Sequence, residues 1–184
     1  MRVEEAPKVG HEAVRLRPIA HGDIDAWYAY LSLPHAVEHT SWNLRSADEL
    51  RPLVDWYESN DPASAIRFAI CEATSAALVG TIGFHTISLA NRSAEIAYDL
   101  HPAHWGRGIA TSCCDAVVSW GFERQRYVRI QATTLEANRA SLRVLEKCAF
   151  VREGLLRSYR IVRGTPRDFW MYARVAPHAP SETP

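Results

Sequence analysis

The stretch Glu95-Ile96-Ala97-Tyr98-Asp99-Leu100-His101-Pro102-Ala103-His104-Trp105-Gly106-Arg107-Gly108-Ile109-Ala110-Thr111 decides how the chain is read. Its first half alternates polar and apolar side chains, the pattern of a half-buried strand. Its second half carries two glycines and runs into a helical pattern. A helix leaves its first amides without partners inside the helix, and they point out of its N-terminal end. Gly106 and Gly108 have no Cβ, so an anion can approach the main chain between them. A strand feeding such a loop predicts a phosphate seat. Two nucleotide motifs are excluded here. A P-loop requires Lys and then Ser or Thr after its last glycine, but Ile109 follows Gly108. A dinucleotide fingerprint requires a third glycine at position 111, which is Thr.

Working outward, Ser93 to His101 is the last of three strand candidates, after Ala65 to Glu72 and Ala77 to Ser88. Short polar turns join them, which predicts an antiparallel meander, with Gly80 and Gly83 marking close approach or a bulge. Upstream, Ala13 to Pro18 alternates as a first strand. Gly22-Asp23 opens a helix with Trp27, Tyr30 and Leu31 on one face, and Pro34 interrupts it. Ser46 and Glu49 spell a capping box for a helix with Leu50, Leu53, Val54 and Tyr57 inward. Downstream, the helix after the glycine loop buries Ala110, Cys113, Cys114, Val117 and Gly121. Tyr127 to Thr134 is a strand that can lie parallel to the meander's last strand, because a helix separates them. A helix from Asn138 to Cys148 and two strands, Val151 to Val162 and Arg167 to Val175, complete the pattern. The expected class is mixed α/β: a largely antiparallel sheet of six to seven strands, one parallel strand–helix–strand crossover and about four helices.

Composition sets the bounds. The 184 residues fit one domain, with 21 Lys plus Arg against 21 Asp plus Glu. Zero net charge predicts no global nucleic-acid footprint, and the clustered Arg152, Arg157, Arg160 and Arg163 read as solvated charges on a strand pair. There is no apolar run long enough for a membrane helix and no apolar core to a secretory signal, so a cytoplasmic protein is expected. The four cysteines lack metal or disulfide spacing. His35-Ala36-Val37-Glu38-His39 spells H-x-x-E-H, but zinc needs a third protein ligand and nothing else supports a protease, so no metal is expected. Residues 1–11 are taken as an N-terminal extension, 12–176 as the domain and 177–184 as a disordered tail.

Several motifs in order resemble the GNAT acetyltransferases, in particular the RimJ/RimL-like branch. Trp105-Gly106-Arg107-Gly108-Ile109-Ala110 resembles that family's Gln/Arg-x-x-Gly-x-Gly/Ala motif, with Trp105 in the first place, as in that branch. Ala94 to Leu100 is similar to the branch's A-E-I-G-Y-x-L. Asn138-Arg139-Ala140-Ser141 and Glu146-Lys147-Cys148-Ala149-Phe150 are similar to its N-x-x-S and E-K-x-G-F, and Gly164, Asp168 and Tyr172 match its closing pattern. Ala97 and Ala149 stand in place of common glycines, and an Ala149 held in a left-handed helix cap would be strained.

The resemblance implies a GNAT-like fold and acetyl-coenzyme A as co-substrate. Its pyrophosphate would sit on the amides of Gly106, Arg107, Gly108, Ile109 and Ala110, with Trp105 and Thr111 also among the cofactor-binding residues. Its pantetheine arm would lie along Ala97, Tyr98 and Leu100, where two strands splay, with Asn138 and Ser141 beside it. Ser141 would protonate the leaving thiolate. Against these roles, Asn138 can be simply an N-cap with Ser141 in the first turn. Glu95 is the first candidate for general base, with His85 and Asp99 behind it, because burial suits a carboxylate to that task. Its alternative is a structural carboxylate paired with an arginine. Trp42, His85 and Glu95 are expected to meet the acceptor, with Trp27, Trp42, Tyr159 and Trp170 as a candidate aromatic lining. The implied activity is direct acetyl transfer to a primary amine, a protein N-terminus or a small amine. The alternative is a non-catalytic acyl-coenzyme A sensor of the same fold, and a homodimer is left open.

Overall fold

The structure is a computed structural model that describes residues 3, 5–40 and 43–177. Among them, seven strands form one sheet in the order β1-β2-β3-β4-β5-β7-β6. The strands are β1 (Val14–Pro18), β2 (Ile66–Glu72), β3 (Leu78–Ser88), β4 (Ser93–Leu100), β5 (Arg129–Leu135), β6 (Val151–Val162) and β7 (Thr165–Val175). The helices are α1 (Ile24–Leu31), α2 (Pro34–Val37), α3 (Arg51–Glu58), α4 (Ile109–Glu123) and α5 (Arg139–Lys147). The meander, the crossover and the closing hairpin therefore stand as the residue pattern predicts, with one more short helix, α2. Pro34 begins that helix rather than only ending its predecessor, since its missing N–H costs nothing at a first turn.

Two cores cover the two sheet faces. On one face Phe68, Ile82, Phe84, Ile96 and Ile130 pack against Cys113, Cys114, Val117 and Val118 of α4 and Leu142 and Leu145 of α5. Each fully buried aliphatic or aromatic side chain of this kind is worth about 1.5–3 kcal/mol. On the other face Ile24, Trp27, Tyr30 and Leu31 of α1 meet Leu50 and Val54. Val3, Ala6 and Val9 of the N-terminal extension also pack on the first core. The expected tail from Pro177 onward falls almost wholly outside the described residues.

Local geometry corrects the capping box. The Ser46 side chain makes no capping bond, a 3-10 turn (Ala47–Leu50) precedes α3, and Glu49 Oε2 accepts from the Arg45 amide at 3.3 Å instead. Pro52 at the start of α3 explains the break, because it donates no helical hydrogen bond. Gly83 is a close approach: a Cβ there would lie 1.9 Å from Ile66 O.

One departure from regularity positions the site. β4 and β5 are parallel and pair only through Ser93↔Arg129, Ala94↔Ile130 and Glu95↔Gln131. Beyond Glu95 the two strands part, while β4 stays paired with β3 through Gly80↔Leu100. The edge of β4 from Ile96 to Leu100 thus opens onto a gap.

Candidate active site

At the far end of that gap lies the glycine loop. Gly106 (φ +74°) and Gly108 (φ +80°) are both left-handed, and a Cβ on either would meet nothing within 4 Å. The glycines are required by backbone conformation, not by space. Gly108 is the N-cap of the 15-residue α4 and supplies no side-chain cap, so the helix's first amides have no side-chain partner. Trp105 Nε1 donates to Leu100 O at 2.8 Å, tying the loop to the end of β4, and His11 Nε2 lies 3.1 Å from Arg107 O.

The orientation of the β4 peptide groups follows from one bond. The His101 N–H donates to Val79 O on β3 at 2.7 Å. Residues of an antiparallel strand alternate between pointing both main-chain groups at one neighbour and at the other. Tyr98, an odd number of residues away, therefore directs its N–H and C=O toward the gap. The Tyr98 hydroxyl donates to Ser141 O at 3.3 Å, joining β4 to α5, and burial pushes the phenol well above its ordinary value.

At the near end a cavity of about 270 Å³ passes between the splayed strands. Glu95, Ala97 and Asp99 line it from one face of β4, Ile96 and Tyr98 from the other, and Asn138 and Ser141 from α5. Glu95 is 2% exposed. Its Oε1 accepts from Thr133 Oγ1 at 2.6 Å and from Arg160 Nη2 at 3.0 Å, and His85 Nε2 lies 3.8 Å from the same oxygen. His85 faces Glu95 directly in the β3–β4 register. Burial lowers its pKa below the ordinary 6.5, with Arg67 and Arg160 adding to the effect and Glu95 opposing it. Asp99 is bound differently: Arg67, Tyr30, both oxygens through Thr81 Oγ1 at 2.9 Å, and Trp27 Nε1 at 3.3 Å all converge on it. Asp99 is thereby removed from the candidates for proton acceptance, since its lone pairs are taken.

The structure brings Glu95, His85, Ala97, Tyr98, Asn138 and Ser141 to one cavity. Leu100 and the Trp105 to Thr111 loop stand beyond its lining, at the other end of β4. Trp42 lies outside the described residues. The rest of the expected aromatic lining is corrected. Trp27 is fully buried in the α1 core, Trp170 lies beneath the Arg152 guanidinium, and Tyr159 packs on Phe169. The aromatic walls are instead Tyr57, Phe84, Tyr98 and Phe169. Three of the four clustered arginines are corrected too: Arg160 binds Glu95, Arg152 covers Trp170, and Arg163 donates to Val37 O and to Glu38 O at 3.1 Å, while Arg157 is exposed. Nothing in an alternating strand distinguishes an arginine that reaches back over the sheet from one that points to water. Asn138 is an N-cap, its Oδ1 accepting from the Ser141 amide at 3.1 Å, which leaves its Nδ2 outside that bond. His35 packs on Trp105 and His39 lines the cavity, so the two do not converge.

Arg67 was not anticipated. Its Nε donates to Thr81 Oγ1 and its Nη1 to Ala97 O, both at 2.9 Å, while Nη2 meets Asp99. The signal was present: an arginine inside the otherwise apolar Ala65–Cys71 run has to find partners.

A splayed parallel pair, a glycine loop opening a helix and a polar cavity thus lie along one strand, β4. The Acetyltransferase (GNAT) domain model matches residues 13–151. The uncharacterized N-acetyltransferase YoaA of Bacillus subtilis is 34% identical over 164 residues, covering 88% of this chain and 93% of its own. The fold is shared with a spermidine N-acetyltransferase from Vibrio cholerae solved with CoA and spermine, at TM-score 0.79 and 22% identity over 90% of this chain and 96% of that one. It is shared equally with a ribosomal-protein-S5-alanine acetyltransferase from Vibrio fischeri, at TM-score 0.78 and 21% identity over 90% and 94%. The chain belongs to the GNAT acetyltransferase family. No helix of the described residues is long and apolar enough to cross a membrane.

Proposed function

We propose that this protein transfers acetyl from acetyl-coenzyme A directly to a primary amine, a protein N-terminus or a small amine, in a ternary complex. The observation that carries the reading is the gap beside β4, with the glycine cradle at one end and a carboxylate and imidazole at the other. The residues fit the co-substrate. Gly106 to Ala110 offer amides to the pyrophosphate, and the open edge of β4 from Ile96 to Leu100 offers main-chain groups to an amide-bearing arm, as a strand accepts an added strand. Asn138 Nδ2 adds a donor from α5.

Acetyl-coenzyme A supplies a thioester carbonyl that a neutral amine can attack. The Tyr98 N–H, held rigidly in the sheet, polarises the carbonyl oxygen, a contribution of about 3 kcal/mol for a well-placed donor. The Glu95–His85 pair faces the acceptor side and accounts for removal of the ammonium proton. Ser141 protonates the departing thiolate. The buried, unpaired cysteines take no part, and they suit a reducing cytoplasm.

The test is an acceptor screen. The protein is mixed with acetyl-coenzyme A and a panel of N-terminal peptides, polyamines and small amines, and thiol release and acetylated product are followed by mass spectrometry. Acetylated product from at least one amine is expected. Tight acetyl-coenzyme A binding with no product from any acceptor overturns the transferase reading in favour of a sensor.

A further inference from the structure

We propose that His85 is the group that takes the acceptor's proton, through Nε2, and that Glu95 positions it. This assignment rests on the transferase reading above and divides labour between two residues that the sequence treats as rivals. The two face each other across β3 and β4, so their side chains rise side by side into the cavity. His85 Nε2 lies 3.8 Å from Glu95 Oε1, while Nδ1 lies 2.8 Å from Thr86 Oγ1. With Nδ1–H donated to that hydroxyl, the lone pair is on Nε2.

One oxygen of Glu95, Oε1, is committed elsewhere. Thr133 and Arg160 both bind its Oε1, and the carboxylate is almost wholly buried, whereas the His85 side chain is about one-third exposed, at 34%. Protonating Glu95 would strip the Arg160 guanidinium of its counter-ion. Protonating His85 keeps that pair and puts the new charge beside the carboxylate. The backbone supports the placement. The β3–β4 register shifts just past His85, and Thr86 is held left-handed at φ +51°. A bulge next to a site re-aims the side chain beside it. The charged groups acting on His85 are Glu95 from β4, Arg67 from β2 and Arg160 from β6. Their balance with burial leaves the imidazole neutral at pH 7, as a base must be.

The step balances. One ammonium proton passes to His85 Nε2 and on to solvent. The freed nitrogen lone pair forms the C–N bond to the acetyl carbon, and the C–S bond breaks. A second N–H proton leaves the nitrogen and the thiolate takes up one, so one proton is released per turnover.

The experiment is the pH profile of kcat at saturating amine and acetyl-coenzyme A, which reports the bound complex. In the wild type, kcat falls on the acid side, at a midpoint below the ordinary imidazole value. His85→Gln lowers kcat roughly 100-fold and removes that limb, with acetyl-coenzyme A affinity unchanged by calorimetry. Glu95→Gln lowers kcat less and keeps the limb, moved to lower pH because the carboxylate no longer supports the imidazolium. Added imidazole restores turnover to His85→Ala, which a folding defect would not allow. The assignment is overturned if His85→Gln keeps the limb and Glu95→Gln removes it, if neither variant loses rate, or if imidazole rescues nothing. Absence of product from the wild type with every amine overturns the transferase reading itself.

Discussion

Arg67 and Asp99 form an ion pair in the sheet with 7% and 6% of their side chains exposed, and it fixes the strand that carries the site. Arg67 spreads over three acceptors, Thr81, Asp99 and the carbonyl of Ala97, while Asp99 gathers Tyr30 and Trp27 from α1. Removing one partner of a buried pair strands the other charge. Arg67→Met is therefore expected to lower stability by about 3–5 kcal/mol in urea denaturation. Arg67→Lys keeps the charge, but its single ammonium cannot span three acceptors, so a loss of about 1–3 kcal/mol is expected. Equal stability of Arg67→Lys and wild type would show that the fork is not needed.

The left-handed backbone at Gly108 separates two effects that one substitution would confound. A Cβ there meets nothing within 4 Å, so Gly108→Ala costs only conformation, about 1–2 kcal/mol. Gly108→Glu adds a negative charge beside the expected pyrophosphate seat. Calorimetric titration should show acetyl-coenzyme A affinity little changed for Ala, because the free protein already holds this position left-handed and bears the conformational cost there. For Glu it should fall steeply, with the gap between the two narrowing at high salt. Indistinguishable affinities for the two variants would remove the pyrophosphate from this loop.

The frame of the site was legible because its parts are local. Alternation in Glu95 to Leu100, two glycines and a helical stripe announce strand, loop and helix within 17 residues. The splay of β4 from β5 came through resemblance alone. A strand that loses its partner midway has the same side-chain period before and after. Partnerships across long sequence distance were the hidden part. Arg160 reaches Glu95 over 65 positions and Arg163 reaches Val37 over 126, and neither has a local signature. Trp27 shows the opposite case: its side chain reads as site lining in the sequence, but the α1 core claims it.

All four cysteines are buried, and burial pushes the Cys113 thiol up to about 12. A thiol with a raised value stays protonated at neutral pH, and the protonated form is neither nucleophile nor target. Iodoacetamide at about pH 7.5, within the range where folded proteins are most stable, should leave Cys113 unmodified and activity intact in the native protein. All four should label in denaturant, read by intact mass. Native-state labelling that tracks loss of activity would bring a cysteine into the mechanism.

Ala149 closes α5 in the left-handed region at φ +59°, where the chain turns from helix into β6. The capping bonds are in place, with the Phe150 amide donating to Leu145 O at 3.0 Å and the Ala149 amide to Glu146 O at 3.1 Å. The turn thus demands a conformation that an L-residue adopts at a cost of about 1–2 kcal/mol, and that glycine adopts without it. Glycine gives back part of the gain, about 0.4–1 kcal/mol, through the greater freedom of its unfolded chain. Ala149 is exposed, so no packing is lost with its methyl. Ala149→Gly should raise stability by about 0.5–1 kcal/mol, seen as a higher urea midpoint at constant slope. It should leave acetyl transfer unchanged, since the cap lies at the opposite end of α5 from Asn138 and Ser141. A lower midpoint would mean that the chain relieves the strain by leaving the left-handed region at this turn.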